Sequence, residues 1–552
     1  MPGTLTRERR VGGGPWSVCL DGMTLHRREF LKMGSAAAFA IARPRLYRYS
    51  RASPDLQALA TRAIEAARAA GARFADVRLS VTRTRRFLPT AGDSDVITES
   101  EELGAGVRAL TDGDWGFAST PRWTGDDLAR IGREAVLQAK ATASTTSRPI
   151  ELGLPSPAGS GTWRTPIRID PFDVAFDEVY DWMEGFASYA LACGAASVDW
   201  HVELRSQMRA YASTDGAFFT QTVYATAPAF TVGVSRPSGE ILQARSATLV
   251  AANRGWEHVL EAPIKDEIPR LLESIRQDIA LPVKPVDVAR YDVVFDPSGI
   301  APLLTETIGY ATQLDRALSY EANADGTSVV TDPLRMRGSY QIGSPLLTVT
   351  ANRSLPGGLA TVKWDDEGVE PDEFALVTDG RLTDFQTTRE SAAWLAASGR
   401  PPRSHGCATA PTALDLPLQH TPNLALQPGK REASFEDLVG DVTRGLAITD
   451  LSEDDGGFIL MDQQHASGLA SAARVYEIRN GKRVALVVGA GLLFRAADLW
   501  KNLAALGGPA SVRWLPLGTS RKGVPAQVTS YSVAAVPALV RQLTVIDVMR
   551  KA

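Results

Sequence analysis

Apolar residues recur at helical spacing between residues 54 and 71, with Leu56, Leu59, Ala63, Ala66 and Ala67 on one side and charges on the other. The pattern predicts an amphipathic helix. Alternation takes over from Phe74 to Thr82 and from Gly104 to Leu110, predicting strands, before helical spacing returns from Trp123 to Ala141. A stretch rich in Pro, Ser, Thr and Gly from Thr142 to Asp170 reads as a long surface connection. Beyond it the spacing predicts a helix over Phe172 to Gly194 and strands over Val198 to Tyr211 and Thr220 to Val234. The prolines of Leu281-Pro282-Val283-Lys284-Pro285-Val286 precede a strand from Tyr291 to Phe295 and place a domain boundary there. The second half opens with a helix and then becomes strand-rich, with strands predicted over Leu346 to Ala351, Ala375 to Thr378 and Val484 to Val488. Alternating periods without regular β-α-β spacing agree with an α+β fold.

The helix that opens the second half carries the most telling chemistry. Ser298 can cap it, its first turn tolerates Pro302, and Ile300, Leu303, Leu304, Ile308, Ala311 and Leu314 follow at helical spacing, so one face is buried. At about 100° per residue, Glu306 and Tyr310 fall side by side near the edge of that face, and Thr305 lies elsewhere on the wheel.

Around this helix stand Gln313-Leu314-Asp315-Arg316-Ala317-Leu318, Tyr320-Glu321-Ala322-Asn323 and Gly326-Thr327-Ser328. Further on come Pro356-Gly357-Gly358-Leu359-Ala360-Thr361, Asp365-Asp366-Glu367-Gly368, Gln386-Thr387-Thr388-Arg389-Glu390, Asn423 to Gly429 and Tyr476-Glu477-Ile478-Arg479-Asn480-Gly481. Upstream lie Ala69 to Arg78 and Gly113-Asp114-Trp115-Gly116-Phe117-Ala118-Ser119. This ordered set, from about residue 52 to the end, resembles the TldD/PmbA family of metallopeptidase-related proteins. The resemblance implies an N-terminal α/β domain with an antiparallel sheet (51–280) and a mainly β C-terminal domain (281–552) carrying the former metal helix, after an N-terminal extension over 1–50.

In the active branch of that family the helix reads HExxxH. Both histidines and a cysteine near the C-terminus hold zinc, and the glutamate is the general base. Ligands five residues apart sit about 140° apart on a regular α-helix, so such a helix must distort or end between them, and a glycine before the second ligand helps. Gly309 is in that place here. The resemblance puts Thr305 and Tyr310 at the two histidine positions and Ser520, in Gly518-Thr519-Ser520-Arg521-Lys522-Gly523, nearest the cysteine position. Glu306 alone survives, as a vestigial general base or as a helix carboxylate pairing with Tyr310 or a cation. Zinc needs three ligands of the imidazole, thiolate or carboxylate kind plus an open position. Hydroxyls do not ionise readily at neutral pH, and the tyrosine reference pKa is about 10. No metal is therefore expected, and no cofactor, although active relatives carry zinc.

A relocated metal site would have to draw on six histidines, none paired at i, i+3 or i, i+4 spacing. His405-Gly406-Cys407 and the group Asp454, Asp455, Asp462 and His465 are the candidate neighbourhoods, each reading more readily as loop chemistry. Gly489-Ala490-Gly491 lacks the third glycine of a dinucleotide loop, Pro356-Gly357-Gly358 is a turn with no helix after it, and Ser404-His405 does not make a triad by adjacency.

Composition and the N-terminus bound the rest. A net charge of −4 with 22% charged residues gives no basic stripe for nucleic acid, and no apolar stretch is long enough to be a transmembrane anchor. Arg27-Arg28, followed by Phe30-Leu31-Lys32 and an Ala-rich run to Ala42, resembles a twin-arginine export signal, against a solvated basic patch before an ordinary helix. Met23 is a natural start for that signal, and Ala40 or Ala42 a place for cleavage. Export predicts the periplasm or cell envelope. Cys193 and Cys407 then remain, with no CxxC pattern and with their pairing open.

Two functions follow. One is a non-catalytic, peptide-binding subunit that joins a homologous TldD/PmbA-type subunit, as a homo- or heterodimer, and works with an active HExxxH relative on extended or unfolded peptides. The other is an active metallopeptidase with a relocated metal.

Overall fold

A computed structural model describes residues 5–10, 17–20, 23–26, 55–89, 96–111, 114–142, 150–155, 159–324, 326–396, 399, 401–451 and 457–550. Arg27, Arg28, Asp454 and Asp455 lie outside the described residues. The chain forms two compact units, one from described residues within 1–146, 159–272 and 412–414, the other from those within 147–158, 273–411 and 415–552.

The first unit is built on an eight-stranded sheet that is antiparallel except for one pair. Of its central strands, Phe74–Leu88 and Val96–Leu110 are much longer than the alternating segments predict, whereas Ser197–Ser213 and Ala217–Ser235 match theirs to within three residues at each end. Phe74 faces Leu110 and the ladder runs without a break to Leu88 opposite Val96. Past Thr82 the strands continue through charged residues, which alternation of apolar positions cannot reveal. Arg83 opposes Glu101 and reaches Glu99 at 3.3 Å, so cross-strand charge pairs replace apolar burial there. The stretch over 142–170 holds the strand Gly159–Arg164, parallel to Ala217–Ser235, where a plain connection was expected. Helices Leu56–Ala70 and Gly125–Thr142 cover one face, packing Ala63, Ala67, Leu128, Ile131 and Ala135 against Ala75, Val77, Leu79 and Val107. Asp55 caps the first helix and Gly71 ends it at φ 103. Residues 412–414 lie against the same sheet: the Ala413 amide donates to Ser80 Oγ at 2.8 Å, and a Cβ at Gly106 would stand 2.1 Å from the Ala413 carbonyl oxygen.

The second unit is mostly β, with a ten-stranded mixed sheet, a six-stranded sheet and a short two-stranded ribbon of Ala408–Thr409 with Leu418–Gln419. Strand Ala289–Phe295 sits inside the larger sheet, parallel to Arg444–Thr449 and antiparallel to Ala538–Asp547. Helix Pro297–Leu304 follows at once, and Ile300, Leu303 and Leu304 enter the main core beside Phe295, Val349, Leu424 and Val533. The six-stranded sheet carries Val349–Asn352, Asn423–Leu426, Gln527–Ala535 and Arg513–Lys522. Leu346 falls in a turn before the first of these. The predicted helix over Phe172 to Gly194 is narrower, Phe176–Ala192. The chain is thus α+β, with an antiparallel N-terminal sheet and a mainly β C-terminal unit.

Candidate functional site

The former metal helix is capped by Asp296 rather than by Ser298. Asp296 Oδ1 accepts the Gly299 amide at 2.8 Å and the Ser298 hydroxyl at 2.7 Å, with Pro297 in the first helical position. Burial, and then the charge of Asp450, push the Asp296 carboxyl up to about 6. The helix does not continue regularly to Leu314. After Leu304 it widens into a π turn over Thr305–Gly309, closed by the Tyr310 amide donating to the Thr305 carbonyl at 2.9 Å. This i to i+5 bond sets the Tyr310 peptide over that of Thr305. Gly309 serves this turn by its size: a Cβ there would press to 3.1 Å from Leu424 Cδ1. Thr312 Oγ1 and the Gln386 amide complete it, Gln386 Nε2 donating to the Gly309 carbonyl at 2.5 Å.

Thr305 and Tyr310 are buried, and Glu306 is half-buried with its carboxylate accepting from Gln463 Nε2 at 3.0 Å. The buried Tyr531 phenol is pushed up by burial, with the Thr305 hydroxyl easing the shift and the Glu306 charge adding to it. Arg316 lies 5.1 Å from the centre of the Tyr310 ring.

Ser520 joins this neighbourhood through the strand Arg513–Lys522. Its hydroxyl lies 3.1 Å from His420 Nδ1 and accepts the Thr421 amide at 3.4 Å. Thr421 Oγ1 accepts from Gln313 Nε2 at 3.0 Å. Gln313 Oε1 accepts from Lys522 Nζ at 3.0 Å, and Asp315 accepts from the same ammonium at 2.7 and 2.5 Å. His420, Ser520, Gln313, Arg316 and Lys522 are all fully buried. Burial, then the charges of Lys522 and Arg353, lower the His420 pKa to about 3, so the ring is neutral, and its Nε2 is buried with no hydrogen-bond partner.

Ser520 is thus tied through Thr421 to Gln313, whose backbone amide donates to the Tyr310 carbonyl at 3.2 Å, and Thr305 meets Tyr310 through its backbone carbonyl. His420, Gln313, Tyr531 and Lys522 were not singled out from the sequence. The available signal for Lys522 was its position two residues after Ser520, which puts both side chains on one face of a strand.

The relocated-site candidates look different. His405 bonds Asp372 through Nδ1 at 2.6 Å and Asp384 through Nε2 at 3.4 Å, and stacks on Phe374 with ring centres 3.7 Å apart. Burial works against its protonated form, but the bonds to Asp372 and Asp384 outweigh it and raise the pKa. Cys407 is fully buried, and burial pushes its thiol up to about 12. His465 is exposed and bonds Asp462 at 2.7 Å. Among the described residues no three His, Cys, Asp or Glu stand together as a metal-holding group. Neither Cys193 nor Cys407 is in a disulfide. The acidic run at Asp365 is a loop scaffold, its carboxylate accepting the amides of Glu367, Val369 and Ala408.

Residues 288–546 match the PmbA/TldA metallopeptidase C-terminal domain, and residues 75–139 match PmbA/TldA metallopeptidase domain 1. The chain belongs to the TldD/PmbA family. A metalloprotease of Methanothermobacter thermautotrophicus is 25% identical over 457 residues, covering 82% of this chain and 92% of the relative. A metalloprotease of Methanocaldococcus jannaschii is 23% identical over 434 residues, covering 77% of this chain and 88% of the relative. Among solved structures, TldE from Thermococcus kodakarensis superposes with a TM-score of 0.68 at 14% identity, covering 88% of this chain and 99% of that one, and so shares the fold.

Zinc is the metal that the TldD/PmbA family implies, and the residues here do not fit it. The network offers hydroxyls, amides and one neutral imidazole, with a buried ammonium among them. Of the carboxylates beside it, Asp315 is engaged by Lys522, Glu321 accepts the Gly523 amide and Glu306 accepts from Gln463.

Proposed function

We propose that this chain is a non-catalytic TldD/PmbA-type subunit that binds extended peptide and partners an active HExxxH relative in the proteolysis of unfolded peptides. The observation that carries the reading is the chemistry of those positions: Thr305, Tyr310 and Ser520 are all buried and offer only hydroxyls, and among the described residues no three His, Cys, Asp or Glu stand together as a metal-holding group. A zinc peptidase uses its metal to generate a nucleophile and to polarise the carbonyl, and a lone Glu306 cannot replace both. Peptide can still be gripped by main-chain pairing with a strand edge, independently of side-chain sequence. Arg27 and Arg28 direct the chain by the twin-arginine route to the periplasm or cell envelope in this reading, which a reporter fusion with both arginines replaced by lysine tests.

The deciding experiment measures zinc and iron by elemental mass spectrometry on protein purified without chelator, together with hydrolysis of an unfolded protein by this chain alone, by an HExxxH relative alone and by the two mixed. Metal near zero, no hydrolysis alone and a rate above that of the relative alone on mixing are expected. Close to one zinc per chain retained through dialysis, or hydrolysis by the chain alone, overturns the reading and sends mutagenesis to His405, Cys407 and His465.

A further inference from the structure

We infer that His405 is a pH-sensitive pin: as an imidazolium held between Asp372 and Asp384 it fixes residues 403–407 to the hairpin at one end of the six-stranded sheet, and loss of its proton loosens that segment. The inference concerns a part of the second unit that the peptide-binding reading does not use.

One hairpin builds the socket for this ring. Strands Glu373–Thr378 and Arg381–Leu382 pair at the end of the six-stranded sheet, with Asp379 at φ 49 in the turn between them. Asp372 stands just before the first strand, Phe374 within it, and Asp384 just after the second. Phe374 lies against one face of the buried His405 ring, with centres 3.7 Å apart and planes 8° from parallel. The two carboxylates meet its two nitrogens, Asp372 at 2.6 Å from Nδ1 and Asp384 at 3.4 Å from Nε2. A neutral imidazole has one N–H and one lone pair, so only the imidazolium donates to both. A neutral ring turns a lone pair on one carboxylate.

The charges around the socket let the pin fail without stranding an anion. Arg337 lies 3.5 Å from Asp384 and Arg403 lies 4.0 Å from Asp372, so each carboxylate keeps a cation when the ring is neutral. Arg353 donates to the carbonyls of Gly406 and Ala408, Asp365 accepts the Ala408 amide, and the Cys407 thiol, pushed up to about 12 by burial, brings no charge. Three hydrogen bonds remain whatever the charge of the ring. The Ser404 hydroxyl and the Cys407 amide donate to the Thr387 carbonyl at 2.9 and 3.1 Å, and the His405 amide donates to Thr387 Oγ1 at 2.9 Å. The response is therefore local loosening, not unfolding. Because the bonds to the two aspartates outweigh burial, the pin holds at acid pH and fails as pH rises through the folded-state pKa of His405.

The test follows hydrogen–deuterium exchange of peptides covering residues 403–407 in the full chain, by mass spectrometry, from about pH 6 to about pH 9, with rates corrected for the intrinsic pH dependence of amide exchange. Protection of the segment is expected to fall by about five-fold or more in one step as pH rises, while helix Leu56–Ala70 keeps its protection. In His405→Gln the step is expected to vanish and the segment to exchange fast throughout. In Asp384→Asn, which removes one of the two carboxylates, the step is expected about one pH unit lower. Protection that does not change with pH in the wild type, or the same step in His405→Gln, overturns the inference. Should His405→Gln not fold, the midpoint of Asp384→Asn decides, and a midpoint that stays in place overturns it.

Discussion

His420 and His405 are both buried in the same unit, yet their pKa values move in opposite directions. His420 faces a serine hydroxyl and feels Lys522 and Arg353, and its pKa falls to about 3. His405 is clasped by Asp372 and Asp384 on a Phe374 ring, and its pKa rises. Burial alone disfavours imidazolium at both, so the difference lies in what each ring touches. It also separates two kinds of failure as a metal ligand. His420 has a suitable neutral nitrogen and no companions, while His405 has companions that hold its proton.

The strongest way to break the contrast is to remove the cation from the His420 side. Lys522→Met leaves Asp315 in a largely buried site without its ammonium, and a loss of about 3–5 kcal/mol in urea unfolding is expected. Asp315→Asn combined with Lys522→Met is expected to lose clearly less, because no charge is stranded. A double variant as damaged as the single one would show that packing, not charge, is what Lys522 provides.

Acidification sharpens the comparison next. A histidine whose folded-state pKa lies below the unfolded value of about 6.5 costs stability as pH falls from that value towards about 3 for His420. His420→Gln is therefore expected to flatten the fall in melting temperature between neutral and acid pH. An unchanged acid limb would remove His420 from the account.

The sign reverses at His405. With its folded-state pKa raised, its stabilisation is fully present below the unfolded value of about 6.5 and is lost as pH rises through the folded-state value. Melting curves of wild type and His405→Gln should differ most on the acid side and converge at alkaline pH. A constant gap at all pH values would mean that the ring acts only by stacking on Phe374.

The smallest effect is expected at Glu306. Glu306→Gln keeps a hydrogen-bonding group opposite Gln463, so stability should shift by no more than about 0.5 kcal/mol. Peptide hydrolysis by the purified chain should stay at the blank rate before and after the change. A measurable rate that the substitution lowers would revive a catalytic glutamate.

Much of this was legible without coordinates. The amphipathic pattern at Leu56–Ala70 and the apolar spacing at Ile300, Leu303 and Leu304 became core helices because burial of an apolar stripe is a local property of the sequence. The charged halves of Phe74–Leu88 and Val96–Leu110 were not legible, because cross-strand charge pairs leave no apolar alternation. Glu306 and Tyr310 read as positions on a regular wheel, and the chain departs from that wheel in the π turn between them. Gln386, from a distant part of the chain, donates to the Gly309 carbonyl in that turn.

The sequence by itself determined that positions 305, 310 and 520 hold Thr, Tyr and Ser, none of them an imidazole, thiolate or carboxylate. It also determined the α+β pattern, since periodicity follows from which side chains leave water. Only the tertiary structure decided what surrounds those positions. Lys522, Asp315, Gln313, Thr421, Ser520 and His420 come from three separated stretches of chain, and nothing in their sequence spacing reveals a shared network. Their charge states are equally nonlocal. A buried imidazole or ammonium takes its proton balance from whatever the fold sets within a few ångströms, so two histidines fifteen positions apart reach opposite answers.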